Sequence, residues 1–431
     1  MTLSRRVFSG LAVLVAALSP LVAGAEPVVV QAMLLAREAD RAAEAKQLPV
    51  WLEKSEAAVA LRPDIPRFLV ALAAAQVAND RPEDAVATLE KLAALGLHAA
   101  VDQAEEFAAL RGRPEFSAVA KKLAANLRPS GPGEIAFSLR DMTGLIEGIA
   151  WRAKTGEFFF GDVQARAVWV RGRDEKVRRF TTADDAILGV FGLAVDEANG
   201  ALWAATSAVP AMEGYAPDME GMAGVAEFDL ASGALRRVVL APKGNLPHVI
   251  GDLALAPDGG IFLPDSGAPI IWRLASGAAT LERFVESEEF ISLQGVAVTR
   301  DGGALVVADR INGLLRVDLS ARSAQLLPSP PDTTLIGIDG LALAANGDLL
   351  ALQNTTMPKR VLRVGLDDGA VAVTRVSVLD SGHLNLAAPS LGCVATGGDF
   401  FFIANPGWSR FEGGGGRPSA PRPVAIFKTK P

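Results

Sequence analysis

Cysteine is almost absent from this chain of 431 residues. Cys393 stands alone, so neither an intramolecular disulfide nor a cysteine-built zinc site can form. Histidine is nearly as scarce: His98, His248 and His383 lie far apart, which speaks against a histidine-rich metal centre. No basic run occurs and the net charge is −7, so nucleic-acid binding is not the main task. A Gly-rich phosphate loop, a Gly-x-Ser-x-Gly elbow and a His-Glu-x-x-His helix are also missing. What is there excludes a disordered chain and a coiled coil: 50% hydrophobic residues, 21% charged ones, 42 Gly and 26 Pro. The length allows two or three domains.

An apolar stretch from Val7 to Val22 opens the chain, preceded by Arg5-Arg6 and followed by Ala23-Gly24-Ala25. Charged, apolar and small residues in that order make a secretory signal over residues 1–25, with cleavage expected before Glu26. Ser9, Gly10, Ser19 and Pro20 interrupt the run, which falls short of a membrane span. Ser4-Arg5-Arg6-Val7-Phe8 resembles the twin-arginine motif that exports folded proteins. The expected product is a soluble periplasmic or secreted protein, free of the membrane once the signal is removed.

Residues 26–130 carry a helical period. Leu69, Leu72, Ala73 and Gln76 share one face of a helix beginning after Pro66, and Asn79-Asp80-Arg81-Pro82 breaks it. Pro82 suits the first turn of the next helix, which Gly96 stops. An earlier pair covers about Val28 to Glu44 and Leu48 to Leu61, and a further short pair follows Val101. The order of helix, turn, helix and proline resembles tetratricopeptide repeats.

The cluster Arg128-Pro129-Ser130-Gly131-Pro132-Gly133 marks a domain boundary, and residues 131–431 change period. A short apolar strand, a turn and a second strand ending in a polar residue recur six times. The copies open with Glu147-Gly148, Phe191-Gly192, Gly251-Asp252, Gln294-Gly295, Asp339-Gly340 and Leu391-Gly392. A repeat of about 50 residues belongs to a β-propeller whose blades are four-stranded sheets. The expected fold is therefore an all-β six-bladed propeller preceded by a small α-helical, tetratricopeptide-like domain. An insertion from Ala208 to Gly224 and the glycine run Gly413 to Gly416 read as loops. The strand Ile135 to Leu139 is expected to close the ring by pairing with the last strand, near Ala425.

In a propeller the start of each innermost strand lies nearest the central channel. Glu147, Phe191, Gly251, Gln294, Asp339 and Leu391 should therefore ring the axis. Two carboxylates and a carboxamide on one ring suit a hard, oxygen-preferring divalent cation such as calcium or magnesium. Without a cation, one of the two carboxylates should be harder to ionise. The competing reading is that Glu147 and Asp339 hold strand starts by accepting backbone N–H bonds. His248, three residues before Gly251, is a candidate proton carrier at the channel mouth. Asp265, Asp309, Asn354 and Asn405 close second strands and read as turn-stabilising residues, and Cys393 as a buried packing residue.

The stretches Glu147-Gly148-Ile149-Ala150-Trp151, Asp339-Gly340-Leu341 and Gly251-Asp252-Leu253-Ala254-Leu255-Ala256-Pro257-Asp258-Gly259 resemble the regucalcin and gluconolactonase family of six-bladed propellers. The resemblance implies hydrolysis of lactones at one divalent cation, of calcium, magnesium, manganese or zinc type, on the propeller axis. It implies metal binding by Glu147, Gln294 and Asp339, with Gln294 standing where the family has asparagine and Ile149 where it has proline. It implies substrate contact at Gly251 and Asp252, where the family's Asn-Asp pair has lost its asparagine. Asp339 or Asp252 is then the catalytic base, and His248 joins the substrate-contacting set. Two functions compete. One is a metal-dependent hydrolase of lactones or related small esters; the other is a non-catalytic module presenting its propeller and helical surfaces to a protein or peptide.

Overall fold

The computed structural model describes residues 26–431 apart from Asp141, Thr143, Ala183, Asp185 and 412–422. The signal segment and the run Gly413 to Gly416 lie outside the described residues. No described helix is long and apolar enough to cross a membrane.

Four helices come first: Val28–Glu44, Leu48–Leu61, Pro66–Ala78 and Pro82–Ala94. A 3-10 turn, Glu105–Leu110, and a fifth helix, Pro114–Ala125, complete the region. Pro66, Pro82 and Pro114 each stand at a first helical position, where a missing N–H costs nothing. Leu69, Ala73, Leu89, Leu92, Phe107, Phe116 and Leu123 face one another in a closed apolar core.

Six four-stranded antiparallel sheets follow, the blades of a propeller. The innermost strands are Ile146–Arg152, Gly189–Asp196, Ala254–Leu255, Leu293–Val298, Ile338–Leu343 and Gly392–Val394, each touching the next around the axis. This crowding explains the recurring glycine. A Cβ at Gly148 would collide with the carbonyl oxygen of Phe191, and one at Gly340 with that of Ser390. The sixth sheet is completed by Glu134–Leu139, which pairs with Val424–Thr429 in the register Ile135↔Phe427 and Ser138↔Ala425. The first propeller strand thus closes the last blade and hides its edge.

The helices sit on one end of the propeller, over blades four and five. Val29, Ala32, Ala58, Ile65 and Phe68 pack on Ile291, Ile311 and Ile336, which flank the innermost strands of those blades. Arg62 is buried at this seam. It forms a fork with Asp64, at 2.8 and 3.0 Å, and donates to the Asn312 side chain (2.8 Å) and carbonyl (3.0 Å). Arg360 reaches back from blade five to the Leu95 carbonyl and to Gln353, both at 2.7 Å. Arg62→Ala leaves Asp64 with only the Ser329 hydroxyl as donor and takes the guanidinium from Asn312, which should cost about 3 kcal/mol. The expected result is a lower Tm together with faster proteolysis between residues 128 and 133; an unchanged cleavage rate would show that the seam holds without Arg62.

Candidate functional site at the ring

The strand starts converge at the end of the channel that the helices overhang. Glu147, Asp252 and Asp339 are each under a tenth exposed. Glu147 accepts a hydrogen bond at Oε2 from Trp408 Nε1 (3.0 Å), and its backbone carbonyl accepts one from Ser390. Asp339 accepts from Arg310 Nη2 at Oδ1 (3.2 Å) and from Asn354 at Oδ2. The same Arg310 Nη2 donates to Gln294 Oε1 (3.1 Å), while Gln294 Nε2 donates to the Ser292 hydroxyl. Asp252 takes the place that glycine holds in the other copies. It accepts from the Val296 backbone N–H (3.1 Å), tying blade three to blade four.

Burial dominates the electrostatics. It raises Glu147 from 4.5 to about 8, with Asp339 adding like-charge repulsion and Trp408 opposing. Burial likewise raises Asp252 from 3.8 to about 7, against the backbone N–H groups of Leu253 and Val296. Asp339 is also pushed up by burial, but the Arg310 charge and the Asn354 bond counter the push. Both carboxyls are thus harder to ionise than free ones, and Arg310 favours the charged form more at Asp339, which it touches, than at Glu147.

The donor set does not fit a divalent cation as it stands. Of the three residues expected to hold one, Gln294 and Asp339 point their oxygens at the Arg310 guanidinium. A dication on those atoms would meet a fixed positive charge. Among the described residues no group of three or more His, Cys, Asp and Glu is placed to hold a metal. Arg310 supplies the positive charge instead.

His248 is not at the ring. Its Nδ1 lies 2.7 Å from Asp265 Oδ2, its Nε2 is 3.2 Å from the Pro242 carbonyl, and Trp272 meets the imidazole edge-on. The bond to Asp265 raises its pKa, and with both ring nitrogens engaged the imidazole has none free for a substrate. Asp309 accepts from the backbone N–H groups of Ile291, Ser292, Ile311 and Asn312, which fits a turn-stabilising role. Asn354 departs from that role by joining the site, and Cys393 packs with the blade-one core, its thiol raised by burial. The insertion folds back on its own blade through Met212, Tyr215, Met219 and Met222, and leans on blade one by Glu213 N–H donating to Gln164.

Three site residues escaped the sequence: Arg310, Asn354 and Trp408. Arg310 and Asn354 each follow the end of a second strand, one step beyond Asp309↔Leu293 and Gln353↔Ile338. That pairing carries the next residue alongside a strand start, a usable signal. Trp408 arrives on a blade-six loop and left none.

No family model and no curated protein matches the chain. Solved structures do. A gluconolactonase from Xanthomonas campestris superposes with a TM-score of 0.49 at 16% identity, over 72% of this chain and 93% of that one. A virginiamycin B lyase from Staphylococcus aureus gives 0.44 at 13%, over 63% and 81%. A Bacteroides thetaiotaomicron protein of unknown function gives 0.50 at 13%, over 70% and 76%. At such identities the likeness is one of fold, a six-bladed propeller.

Proposed function

We propose that the protein is an exported hydrolase of lactones or related small esters in which Arg310, not a metal, is the electrophile. The observation that carries this reading is a cluster of three buried carboxylates in which Asp339 is paired with the Arg310 guanidinium, Glu147 feels the charges of both, and Asp252 feels that of Asp339. The Arg310 side chain is 28% exposed, so its guanidinium keeps an accessible edge from which it can donate to a substrate carbonyl oxygen. Asp252, ionised near neutral pH, takes a proton from water as the water oxygen bonds to the carbonyl carbon. The tetrahedral oxyanion is stabilised by Arg310, which Asp339 and Gln294 hold in place. Protonated Glu147 then gives its proton to the ring oxygen as the C–O bond breaks. The product is a hydroxy acid, and its carboxyl proton leaves to solvent.

Activity needs Asp252 charged and Glu147 neutral. The kcat/KM profile on δ-valerolactone should rise near pH 7 and fall near pH 8, giving a narrow bell. A rate that climbs steadily with pH would point to hydroxide attack and against the two carboxyls. The Asp252 bond to Val296 favours a second reading, in which these residues only fasten blades and the propeller is a binding module. A chain that turns over no lactone at any pH is that second protein.

A further inference from the structure

The ring carries its one guanidinium and that guanidinium's partners on one side. Gln294, Arg310 and Asp339 come from blades four and five, whereas Phe191 and Gly251 stand at the corresponding places of blades two and three. The Phe191 ring stacks with Trp408 at 6.3 Å between centroids, and the Trp408 indole N–H is the donor to Glu147. Phe411 packs half-buried on the same apolar cluster. The Gly251 carbonyl accepts from the Gly192 N–H (3.0 Å), so Gly251 lies beside Phe191. An added Cβ at Gly251 meets no atom within 4 Å, and its φ is not left-handed. There is thus open space at Gly251, next to Asp252, with Phe191 and its stacked Trp408 on the neighbouring blade.

We infer that this space is the acyl subsite and that the substrates are lactones or esters carrying an apolar, ring-bearing group, not polyhydroxylated sugar lactones. The inference rests on the lactonase reading above. A polyol would leave its hydroxyls without partners against Phe191 and Trp408, a loss that sites of this kind do not recover elsewhere. A flat apolar group instead gains area and ring stacking there. The groups that could bond a substrate hydroxyl on the opposite arc, Gln294 and Asp339, are committed to Arg310.

Dihydrocoumarin, δ-valerolactone and glucono-δ-lactone separate the alternatives. Wild type should favour dihydrocoumarin over glucono-δ-lactone by about 100-fold in kcat/KM. Gly251→Leu, which fills the space without backbone strain, should lower the dihydrocoumarin to δ-valerolactone ratio about tenfold, through KM. Gly251→Ala should give a smaller shift in the same direction, and circular dichroism confirms that both variants fold. Binding of dihydrocoumarin to Glu147→Gln, followed by tryptophan fluorescence, reads the subsite without turnover, and adding Gly251→Leu should weaken it about tenfold. Hydrolysis of all three lactones at similar rates overturns the apolar subsite and leaves the lactonase reading standing. Binding sensitive to Gly251→Leu without hydrolysis of any lactone upholds the subsite and removes the lactonase reading. Neither binding nor hydrolysis removes both.

Discussion

Arg310→Met is expected to lower kcat/KM on a simple lactone by about 1,000-fold, the cost of losing the charge that meets the oxyanion. It should also change stability in a pH-dependent way. Glu147, Asp252 and Asp339 remain buried, now with no cation near them. At pH 8 the variant should lose about 3 kcal/mol, while at pH 5, where the carboxyls are protonated, the loss should be small. Urea unfolding at the two pH values measures this. Chelator-treated wild type should keep full activity. Loss of activity on chelation, restored by calcium or manganese, would return the site to a metal and make Arg310 a bystander.

The second large effect runs in opposite directions for activity and stability. Glu147→Gln and Asp252→Asn keep shape: the amide oxygens can still accept from Trp408 and from the Val296 N–H. Each should abolish turnover. Each should also raise Tm at pH 8. The sign follows from where the proton sits. Between 4.5 and about 8 the unfolded chain releases the Glu147 proton while the folded chain keeps it. Stability is thus full below 4.5, falls as pH rises through that interval, and stays low above it. For Asp252 the interval runs from 3.8 to about 7. A neutral amide escapes the loss, about 4 kcal/mol at pH 8 for Glu147→Gln. Calorimetry at pH 4 and pH 8 tests it: the variants should match wild type at the lower pH and exceed it at the higher. Destabilisation at both would mean that the carboxylates are structural fasteners.

The architecture was readable because backbone crowding writes itself into sequence. Gly148, Gly192, Gly295 and Gly340 recur since the neighbouring blade's backbone or side chain occupies the space of a Cβ, and counting them counts blades. Prolines at positions 66 and 82 marked helix starts for an equally local reason. The ring positions of Glu147 and Asp339 followed from the same count. What surrounds them did not, because loops set it. Trp408 reaches the site from a loop without a period, and Arg310 from a repeat position, the residue after a second strand, whose type varies from blade to blade. His248 is a hydrogen-bonded loop histidine and not a proton carrier at the ring, for a related reason. Three residues from Gly251 fixes distance along the chain and not direction, and the imidazole turns to Asp265 and Trp272 instead.

The pairing of Glu134–Leu139 with Val424–Thr429 has a consequence for the timing of synthesis. The first propeller strand to leave the ribosome must wait for its partner, so no nascent chain can be circular before Val424–Thr429 has emerged. Until then blade six lacks both outer strands and offers open backbone to other chains. The five helices are complete long before the loops around Ile291, Ile311 and Ile336 on which they dock. A chain that lacks Val424–Thr429 therefore keeps its ring open and its blade-six edge unpaired.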